Sequence, residues 1–389
     1  MRRNYGDYGR KDRGAESRRR GMNLLDYVLL IATVICAAVL LLAYLARYVN
    51  PNDVWIFAFL GLAAPVFYIV NVVLLLYWVL RWRAYAFIPL AVLLTGIGGI
   101  SSFFRPVLSK RYVEPSDEAA LTVVSYNVMG FLSREDPRHV SNMRETVSFI
   151  DSLAPDLLFI QEYQSTPKAP AREIDSLLGA LPYRVVNYKV SGTPGHGWGL
   201  AIYSRYPVVR SGHVDFEHST NSSLWADVAV RKGDTLRLFN NHLQTTSINS
   251  SDRDFITTPE FMQSDSEAKK ERVRNIVHKL RENYKIRARQ ADSLAPLIAS
   301  SPYPVIVCGD FNDTPMSYAY HTIRGGLSDA FSEKGHGMTN TYRGFFNLFR
   351  IDYVLHSPEL ETLSYSTPPS DRSDHNPVLV RLKLPGPRP

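Results

Sequence analysis

The sequence predicts an α/β domain in which two packed β-sheets carry helices on their outer faces, preceded by three transmembrane helices. Three long apolar runs occupy the first part of the 389-residue chain. The remainder contains eight short apolar and β-branched stretches separated by turn signals, and few segments with helical periodicity. So many strands with so few helices favour two packed sheets over a simple doubly wound sheet.

Basic residues are concentrated before this domain. Residues 1–20 are rich in arginine and almost free of aliphatic side chains, so we expect a disordered basic tail. The formal net charge of +7 comes from this tail and the apolar segment, which leaves a slightly acidic C-terminal part. The charge therefore gives no support to nonspecific nucleic-acid binding, which needs clustered Lys and Arg. The two cysteines, Cys36 and Cys308, lie in different contexts and are not expected to pair.

The apolar runs predict a membrane anchor over residues 21–105. They extend from Leu24 to Leu45, from Val54 to Leu80 and from Ala84 to Phe104. A helix of about 20 apolar residues is long enough to cross a bilayer. The glycines of the third run, "TGIGGI", suit close contact between helices. A cleavable signal peptide is the alternative for the first run, but no small-residue cleavage site precedes "RYVNPND".

Charge predicts how the anchor is oriented. The basic tail and the "RWR" at 81–83 are expected on the cytoplasmic side, and three spans then place the large domain on the other side. Arg105, Lys110 and Arg111 follow the third run and oppose this assignment. The expected location is the plasma or inner membrane, with an exoplasmic or periplasmic domain.

A linker is expected over residues 106–120 and the catalytic domain over 121–385. Helical patterning is clear over 138–153 and 265–299, and weaker over 172–180.

Polar side chains stand at the ends of the predicted strands. Alone, each reads as a turn or a solvated strand end. Turn chemistry does not explain an acid, amide or imidazole at nearly every strand end, and rigid strand ends are a natural place for a site. The residues are Asn127, Glu162, His242, Asp310 and Asn312 at the ends of strands, and Asp374 and His375 just before one.

The ordered motifs "SYN", "IQE", "NNH", "GDFND", "IDY" and "SDHNP" resemble the endonuclease/exonuclease/phosphatase superfamily, over roughly residues 121–384. This resemblance implies the DNase I-like four-layer α/β/β/α sandwich and hydrolysis of a phosphoester. Carboxylate and amide oxygens suit Mg²⁺ or Mn²⁺ as the cofactor.

The resemblance also implies roles for individual residues. Glu162 is the principal metal ligand, assisted by Asn127 and Asp374. Asp310 activates the attacking water, and Asn312 holds the water or the phosphate. His375 stabilises the phosphorane or acts as acid or base, and Asp352 orients His375. His242 binds a phosphoryl oxygen or assists the leaving group. Asn127, Asn312 and His242 are accordingly also the expected substrate contacts.

Several neighbouring residues receive structural interpretations. Asp313 is expected to cap the turn that Pro315 continues. Arg287 and Arg289 either reach the phosphate or lie on the exposed face of a helix, and the helix face is the favoured interpretation. His196 and Trp198 either line the substrate entrance or pack in a loop.

The predicted function is therefore a membrane-tethered, metal-dependent phosphoester hydrolase. Its substrate stays open between nucleic acid and a lipid head group or small molecule. The alternative is a catalytically inactive exoplasmic domain for binding or scaffolding. The bilayer is an expected partner, and no protein partner is inferred.

Overall fold

The computed structural model describes residues 21–106, 120–132, 141–166, 170–190, 197–217, 219–246, 248, 250–257, 267–344 and 347–385. The expected basic tail lies outside the described residues, as does the expected linker apart from its first and last residues.

The described residues form ten α-helices and fourteen strands. The helices are α1 Leu24–Tyr44, α2 Ile56–Leu80, α3 Phe87–Thr95, α4 Ile97–Ile100, α5 Met143–Ser152, α6 Ala171–Leu177, α7 Ser250–Thr257, α8 Glu267–Ala299, α9 Tyr318–Arg324 and α10 Ala330–Lys334. The strands are β1 Phe104–Arg105, β2 Ala120–Asn127, β3 Leu157–Ser165, β4 Tyr183–Val190, β5 Gly197–Ser204, β6 Val208–Asp215, β7 Ser222–Arg231, β8 Asp234–His242, β9 Val305–Asp310, β10 Ser328–Asp329, β11 Gly337–Met338, β12 Asp352–His356, β13 Glu361–Ser366 and β14 Val378–Lys383.

Two six-stranded sheets build the large domain. One has the order β13-β14-β2-β3-β5-β4, and the other has the order β10-β12-β9-β8-β7-β6. Each contains one internal parallel pair, β2 with β3 and β8 with β9. The parallel strands need crossover connections, and the crossover helices α5 and α8 lie on the outer faces.

The core explains the layering. One cluster of buried apolar residues lies between the sheets and includes Val123, Phe159 and Ile306. A second cluster packs α5 and α6 on the first sheet, and a third packs α8 and α9 on the second. The predicted α/β sandwich with two sheets is confirmed. Central strands are covered on both faces. All six residues of β9 are therefore buried, including Asp310 at its end.

The N-terminal segment differs from its prediction. Helices α1 and α2 are long and apolar enough to cross a membrane. The third run instead forms a 3₁₀ turn followed by the short helices α3 and α4. Among the described residues, only two helices are therefore both long and apolar enough to span a membrane, and the count of three is not confirmed.

Gly96 accounts for the break between α3 and α4. A Cβ atom at this position would lie 2.0 Å from the Tyr44 hydroxyl oxygen, so only glycine permits this approach. The Tyr68 hydroxyl donates a hydrogen bond of 3.0 Å to the Gly96 carbonyl. Tertiary contacts with two tyrosines thus hold the chain where the apolar pattern alone predicts one continuous helix.

The loop between α1 and α2 is fastened to the large domain. Asn50 Nδ2 lies 3.0 Å from Asp292 Oδ2, and Arg289 Nη1 donates to Asn52 Oδ1 at 2.7 Å. Asp292 and Arg289 both belong to α8. The short strand β1, which follows the apolar segment, pairs with β11 of the domain. Side-chain hydrogen bonds and a short strand pair therefore connect the apolar helices to the large domain.

Candidate active site

The second sheet places three polar residues side by side. In the strand register, Asp310 of β9 lies opposite His242 of β8 on one side and Asp352 of β12 on the other. Parallel strands end at the same edge of a sheet, so His242 and Asp310 come together as the ends of β8 and β9. Sheet pairing thus assembles residues that lie up to 110 positions apart in the sequence.

His375 adds an imidazole to this row. Its Nδ1 lies 2.8 Å from Asp352 Oδ2, and its Nε2 lies 3.7 Å from Asp310 Oδ2. Burial lowers the pKa of His375, but Asp352 and Asp310 outweigh burial and hold that pKa well above its ordinary value. The pKa of Asp310 is raised by burial and by Asp352. A cationic imidazole with its Nε2 beside a basic carboxylate suits proton transfer.

Asn127 and Glu162 bring the first sheet into the site. Asn127 Nδ2 donates to Glu162 Oε1 at 3.1 Å and to Asp310 Oδ2 at 3.0 Å, while its Oδ1 accepts from the Met129 N–H at 3.1 Å. The amide group, predicted to help bind a metal, thus turns its NH₂ towards the carboxylates.

Glu162 sits on strained backbone. Its φ of 53° lies in the left-handed region, and the β3–β5 register shifts between Ile160 and Tyr163. A bulge at this point re-aims a strand side chain, and such strain concentrates at functional sites. Asn312 shares the feature, with a φ of 52° directly after β9.

Four carboxylates line one cavity, and one of them, Asp313, is paired with Arg287. Burial and then Asp374 raise the pKa of Glu162 to about 7, with Asp310 adding to the effect. Glu162, Asp310 and Asp374 line one cavity, and none of the described residues lining it is Lys or Arg. Gathered oxygen ligands without a lysine or arginine fit a hard divalent cation such as Mg²⁺ or Mn²⁺.

His242 points an unpartnered nitrogen into the site. Its Nε2 is buried without a hydrogen bond and lies 3.8 Å from Glu162 Oε1 and 3.9 Å from Asp310 Oδ2. Burial lowers its pKa, so the ring is neutral. A buried polar atom without a partner is costly, and a ligand oxygen would satisfy it.

The turn after β9 is built as expected at Asp313 but not at Arg287. The Thr314 N–H donates to Asp313 Oδ1 at 2.9 Å, which closes the turn. Arg287 is fully buried, and its Nε lies 3.0 Å from Asp313 Oδ2. Its predicted place on the exposed helix face is therefore wrong, because a carboxylate 26 residues away compensates its charge. Arg289 is exposed and binds the loop at Asn52.

The site opens into a cavity of about 490 Å³ with two unlike walls. The polar wall contains Glu162, Asp310, Asn312, Asp374 and His375, and the apolar wall includes Leu62, Leu280, Tyr284, Phe349 and Ile351. The sequence prediction missed the apolar wall. No local signal marks these residues, since Leu62 belongs to α2 and reaches the cavity only through tertiary packing.

Two further residues flank the site. The Tyr342 ring lies 5.2 Å from the His375 ring, centroid to centroid, and the two residues form a β-bridge. Trp198 lines a neighbouring cavity together with Glu162 and His242. His196, the other residue predicted near the entrance, lies outside the described residues.

Comparison with known families agrees with this arrangement. A family model described as the endonuclease/exonuclease/phosphatase family matches residues 124–375. The chain belongs to the endonuclease/exonuclease/phosphatase family. A second model, described as a domain of unknown function, matches residues 26–103 and so covers α1 to α4. A search of curated proteins found no match.

Solved structures of the endonuclease/exonuclease/phosphatase family share the fold. An endonuclease/exonuclease/phosphatase from Beutenbergia cavernae is 19% identical, with a TM-score of 0.51, and the match covers 69% of this chain and 72% of that one. A mannosyl-6-phosphatase from Bacteroides thetaiotaomicron is 17% identical, with a TM-score of 0.46 and coverages of 67% and 99%. Truncated TDP2 from Caenorhabditis elegans is 19% identical, with a TM-score of 0.45 and coverages of 68% and 98%. The match to the Beutenbergia cavernae structure bears on the fold alone, and nothing is argued from the other two.

Proposed function

We propose that this member of the endonuclease/exonuclease/phosphatase family is a metal-dependent phosphoester hydrolase held in a membrane by its N-terminal helices. The observation that carries the proposal is that Glu162, Asp310 and Asp374 line one cavity together with His375, which the buried Asp352 contacts from behind. The three carboxylates supply a cation site, and the His375–Asp352 pair supplies an oriented imidazole.

Glu162 and Asp374 are the proposed holders of Mg²⁺ or Mn²⁺. When bound, the ion offsets negative charge on the phosphoryl oxygens. Asn127 bridges the carboxylates of Glu162 and Asp310 by donating to both. Its proposed contribution is thus to hold the donor set in place.

Asp310 is the proposed general base. Its raised pKa favours taking a proton from the water that attacks phosphorus. The Asn312 N–H donates to Asp310 Oδ1 at 2.8 Å, while Oδ2 accepts from Asn127 and lies 3.7 Å from His375 Nε2. The proton moves from water to Asp310 as the new P–O bond forms. The P–O bond to the leaving group then breaks, and the leaving oxygen takes a proton from cationic His375, which Asp310 restores.

The two histidines have different proposed roles because they differ in charge. Cationic His375, oriented by Asp352, stabilises the negative oxygens of the pentacovalent phosphorane. Neutral His242 offers its unpartnered Nε2 to a phosphoryl oxygen. Asn312 is the proposed additional contact to the phosphate or water.

Membrane insertion is supported by the surfaces of α1 and α2. In their most apolar windows only 28% and 22% of the residues are buried within the protein, so neither is the core helix of a water-soluble domain. Asp26 of α1 accepts hydrogen bonds from Tyr77 of α2 and from Arg81, which directly follows α2. A retained α1 accounts for these bonds, whereas a cleaved signal peptide would leave Arg81 and Tyr77 without them.

The proposed orientation places the catalytic domain outside the cytoplasm. The loop between α1 and α2 binds α8, so loop and domain share a side of the membrane. After α2, the chain returns to that side through α3 and α4, where the Tyr44 hydroxyl at the end of α1 donates to the Val92 carbonyl. The Arg-rich tail precedes the opposite end of α1 and is expected in the cytoplasm.

Hydrolysis by the full-length protein in detergent tests the function. We expect p-nitrophenol release from bis-p-nitrophenyl phosphate with Mg²⁺ or Mn²⁺, its loss in EDTA, and its loss in Asp310→Ala but not in the exposed-site control Asp371→Ala. Plasmid DNA, RNA, sphingomyelin and phosphatidylinositol phosphates complete the panel. Folded protein inactive on every substrate, or activity indifferent to EDTA, would overturn the proposal.

A further inference from the structure

Resting on this proposed hydrolase function, we propose that the substrate is an amphiphilic phosphoester, a membrane lipid. Its phosphoryl group would enter the carboxylate wall of the cavity, and its apolar part would lie against the wall that includes Leu62 of α2.

The lining of the cavity, part polar and part apolar, is the first observation that supports a lipid substrate. Leu280 and Tyr284 of α8 and Phe349 line the same cavity as the catalytic residues. A volume of about 490 Å³ falls within the roughly 300–1,000 Å³ of pockets that hold drug-sized molecules. The cavity thus has room beyond a phosphoryl group, and that room is apolar. A substrate with an apolar group next to its phosphoester removes this surface from water.

The lining argues against a polynucleotide. Nucleic-acid strands carry a phosphate on every nucleotide and are held by Lys and Arg along a groove. None of the described lining residues is Lys or Arg, and His375 is the one imidazole among them. The Tyr284 ring, which could stack on a base, is already packed against Phe59 and the Arg287 guanidinium, at 5.6 and 4.6 Å from its centroid.

The exposed surface of α2 is the third observation that supports a lipid substrate. Leu62, Val66, Ile69 and Val73 follow the i, i+4, i+7, i+11 spacing of one helix face. Val66, Ile69 and Val73 are 60%, 65% and 58% exposed. An apolar stripe therefore runs from the cavity wall along the helix that we propose spans the bilayer. An acyl chain can follow this stripe between the lipid and the site without crossing water.

Contacts around Leu62 hold the stripe in place. A Cβ added to Gly61 would lie 2.7 Å from the Ala46 Cβ and 3.4 Å from the Met316 carbonyl oxygen. Met316, in the turn after β9, is buried in the cluster of the N-terminal helices, with Leu40 and Tyr68. The catalytic turn and α2 are thus packed as one unit.

A pair of synthetic phosphodiesters tests the proposal with the full-length protein in mixed detergent micelles. Methyl p-nitrophenyl phosphate and hexadecyl p-nitrophenyl phosphate share the leaving group and differ in the alkyl chain. We expect kcat/KM for the hexadecyl ester to exceed that for the methyl ester by about tenfold or more.

Variants place the preference in the cavity. Leu280→Gln should lower the hexadecyl-to-methyl ratio about tenfold, because it puts an amide on the apolar wall. Leu297→Gln is the matched control on the same helix, 42% exposed and outside the cavity lining, and should keep the ratio. Leu62→Gln is a second variant, to be used if Leu280→Gln loses its native melting temperature.

The outcomes separate the two proposals. Metal-dependent hydrolysis of both esters at equal kcat/KM, with an unchanged ratio in both cavity variants, would overturn the lipid assignment and leave the hydrolase function intact. Preferential cleavage of plasmid DNA or RNA would overturn it in favour of a nuclease. Failure to hydrolyse either ester with Mg²⁺ or Mn²⁺ would count against the hydrolase function itself.

Discussion

Asn127 donates a hydrogen bond of 3.0 Å from Nδ2 to Asp310 Oδ2, and this bond joins the end of a strand in one sheet to the end of a strand in the other. Both side chains are almost completely buried, with 1% exposure each. A neutral donor therefore stands where the two layers of the sandwich meet, beside the carboxylate proposed to activate water.

The first prediction concerns Asn127. Asn127→Ala removes a donor to two carboxylates, and we expect kcat to fall about tenfold or more. Asn127→Asp places a third negative charge between Glu162 and Asp310, so we expect a larger loss, about 100-fold. Steady-state hydrolysis at saturating Mg²⁺ measures both. Asn347→Asp, at an exposed position, is the matched control. Equal kcat for Asn127→Asp and the wild type would refute the arrangement.

Glu162→Gln tests the cation site. The substitution preserves shape but removes a negative charge from the proposed metal ligands, so the Mg²⁺ concentration for half-maximal activity should rise at least about tenfold. Calorimetric titration with Mn²⁺ measures the metal affinity without turnover. Glu173→Gln, which alters an exposed pair with Arg144, should leave both values unchanged. If Glu162→Gln bound Mn²⁺ with wild-type affinity, Glu162 would not be a metal ligand.

His375 and Asp352 should act as a unit. We expect Asp352→Asn to lower kcat about 100-fold or more, because the imidazole loses the carboxylate that orients and charges it. His375→Ala should lower kcat with little change in KM. The double variant should be scarcely worse than His375→Ala alone, which a double-mutant cycle measures. Additive losses would show that the two residues work independently.

The Arg350–Asp329 pair should dominate local stability. Arg350 is buried, binds both Asp329 oxygens at 2.7 and 3.2 Å, and donates to the Ser102 carbonyl at the end of the apolar segment. Arg350→Met leaves Asp329 buried without its partner and should lower the free energy of unfolding by about 3–5 kcal/mol. Arg144→Met, in an exposed pair, should cost less than about 1 kcal/mol. Denaturant titration followed by tryptophan fluorescence compares the two, and similar midpoints would contradict the prediction.

Cysteine labelling tests the proposed orientation. Asp53→Cys in the α1–α2 loop and Glu361→Cys in the domain occupy exposed positions, and a membrane-impermeant maleimide should label both in intact cells or spheroplasts. Ser17→Cys, in the N-terminal tail, should react only after permeabilisation. The wild-type chain, with buried Cys308 and Cys36 within α1, sets the background. Labelling of Asp53→Cys without Glu361→Cys would contradict the shared side.

Features encoded locally could be predicted from the sequence. Strand ends such as "GDFND" follow an apolar run directly, so the polar row at the sheet edge is visible in the pattern. The helix expected over 265–299 is observed as Glu267–Ala299, because its amphipathic period persists for many turns. The weaker segment at 172–180 forms only Ala171–Leu177.

Features created by tertiary contact could not be predicted in this way. The break at Gly96 depends on Tyr44, which is more than fifty positions away. Burial of Arg287 depends on Asp313, and the place of Leu62 depends on packing between α2 and the catalytic domain. Each of these requires the position of a second element that the local pattern does not contain.

The bonds from Asn50 and Asn52 to α8 set the distance between the catalytic cavity and the ends of α1 and α2. A domain on a flexible linker would move freely above the membrane. This junction instead holds the cavity opening at one distance from the membrane surface and in one orientation. For a chain inserted as proposed, the search for substrate becomes two-dimensional. Turnover then follows the mole fraction of substrate within the membrane surface, and diluting that surface with inert lipid slows the reaction even when the bulk substrate concentration is unchanged.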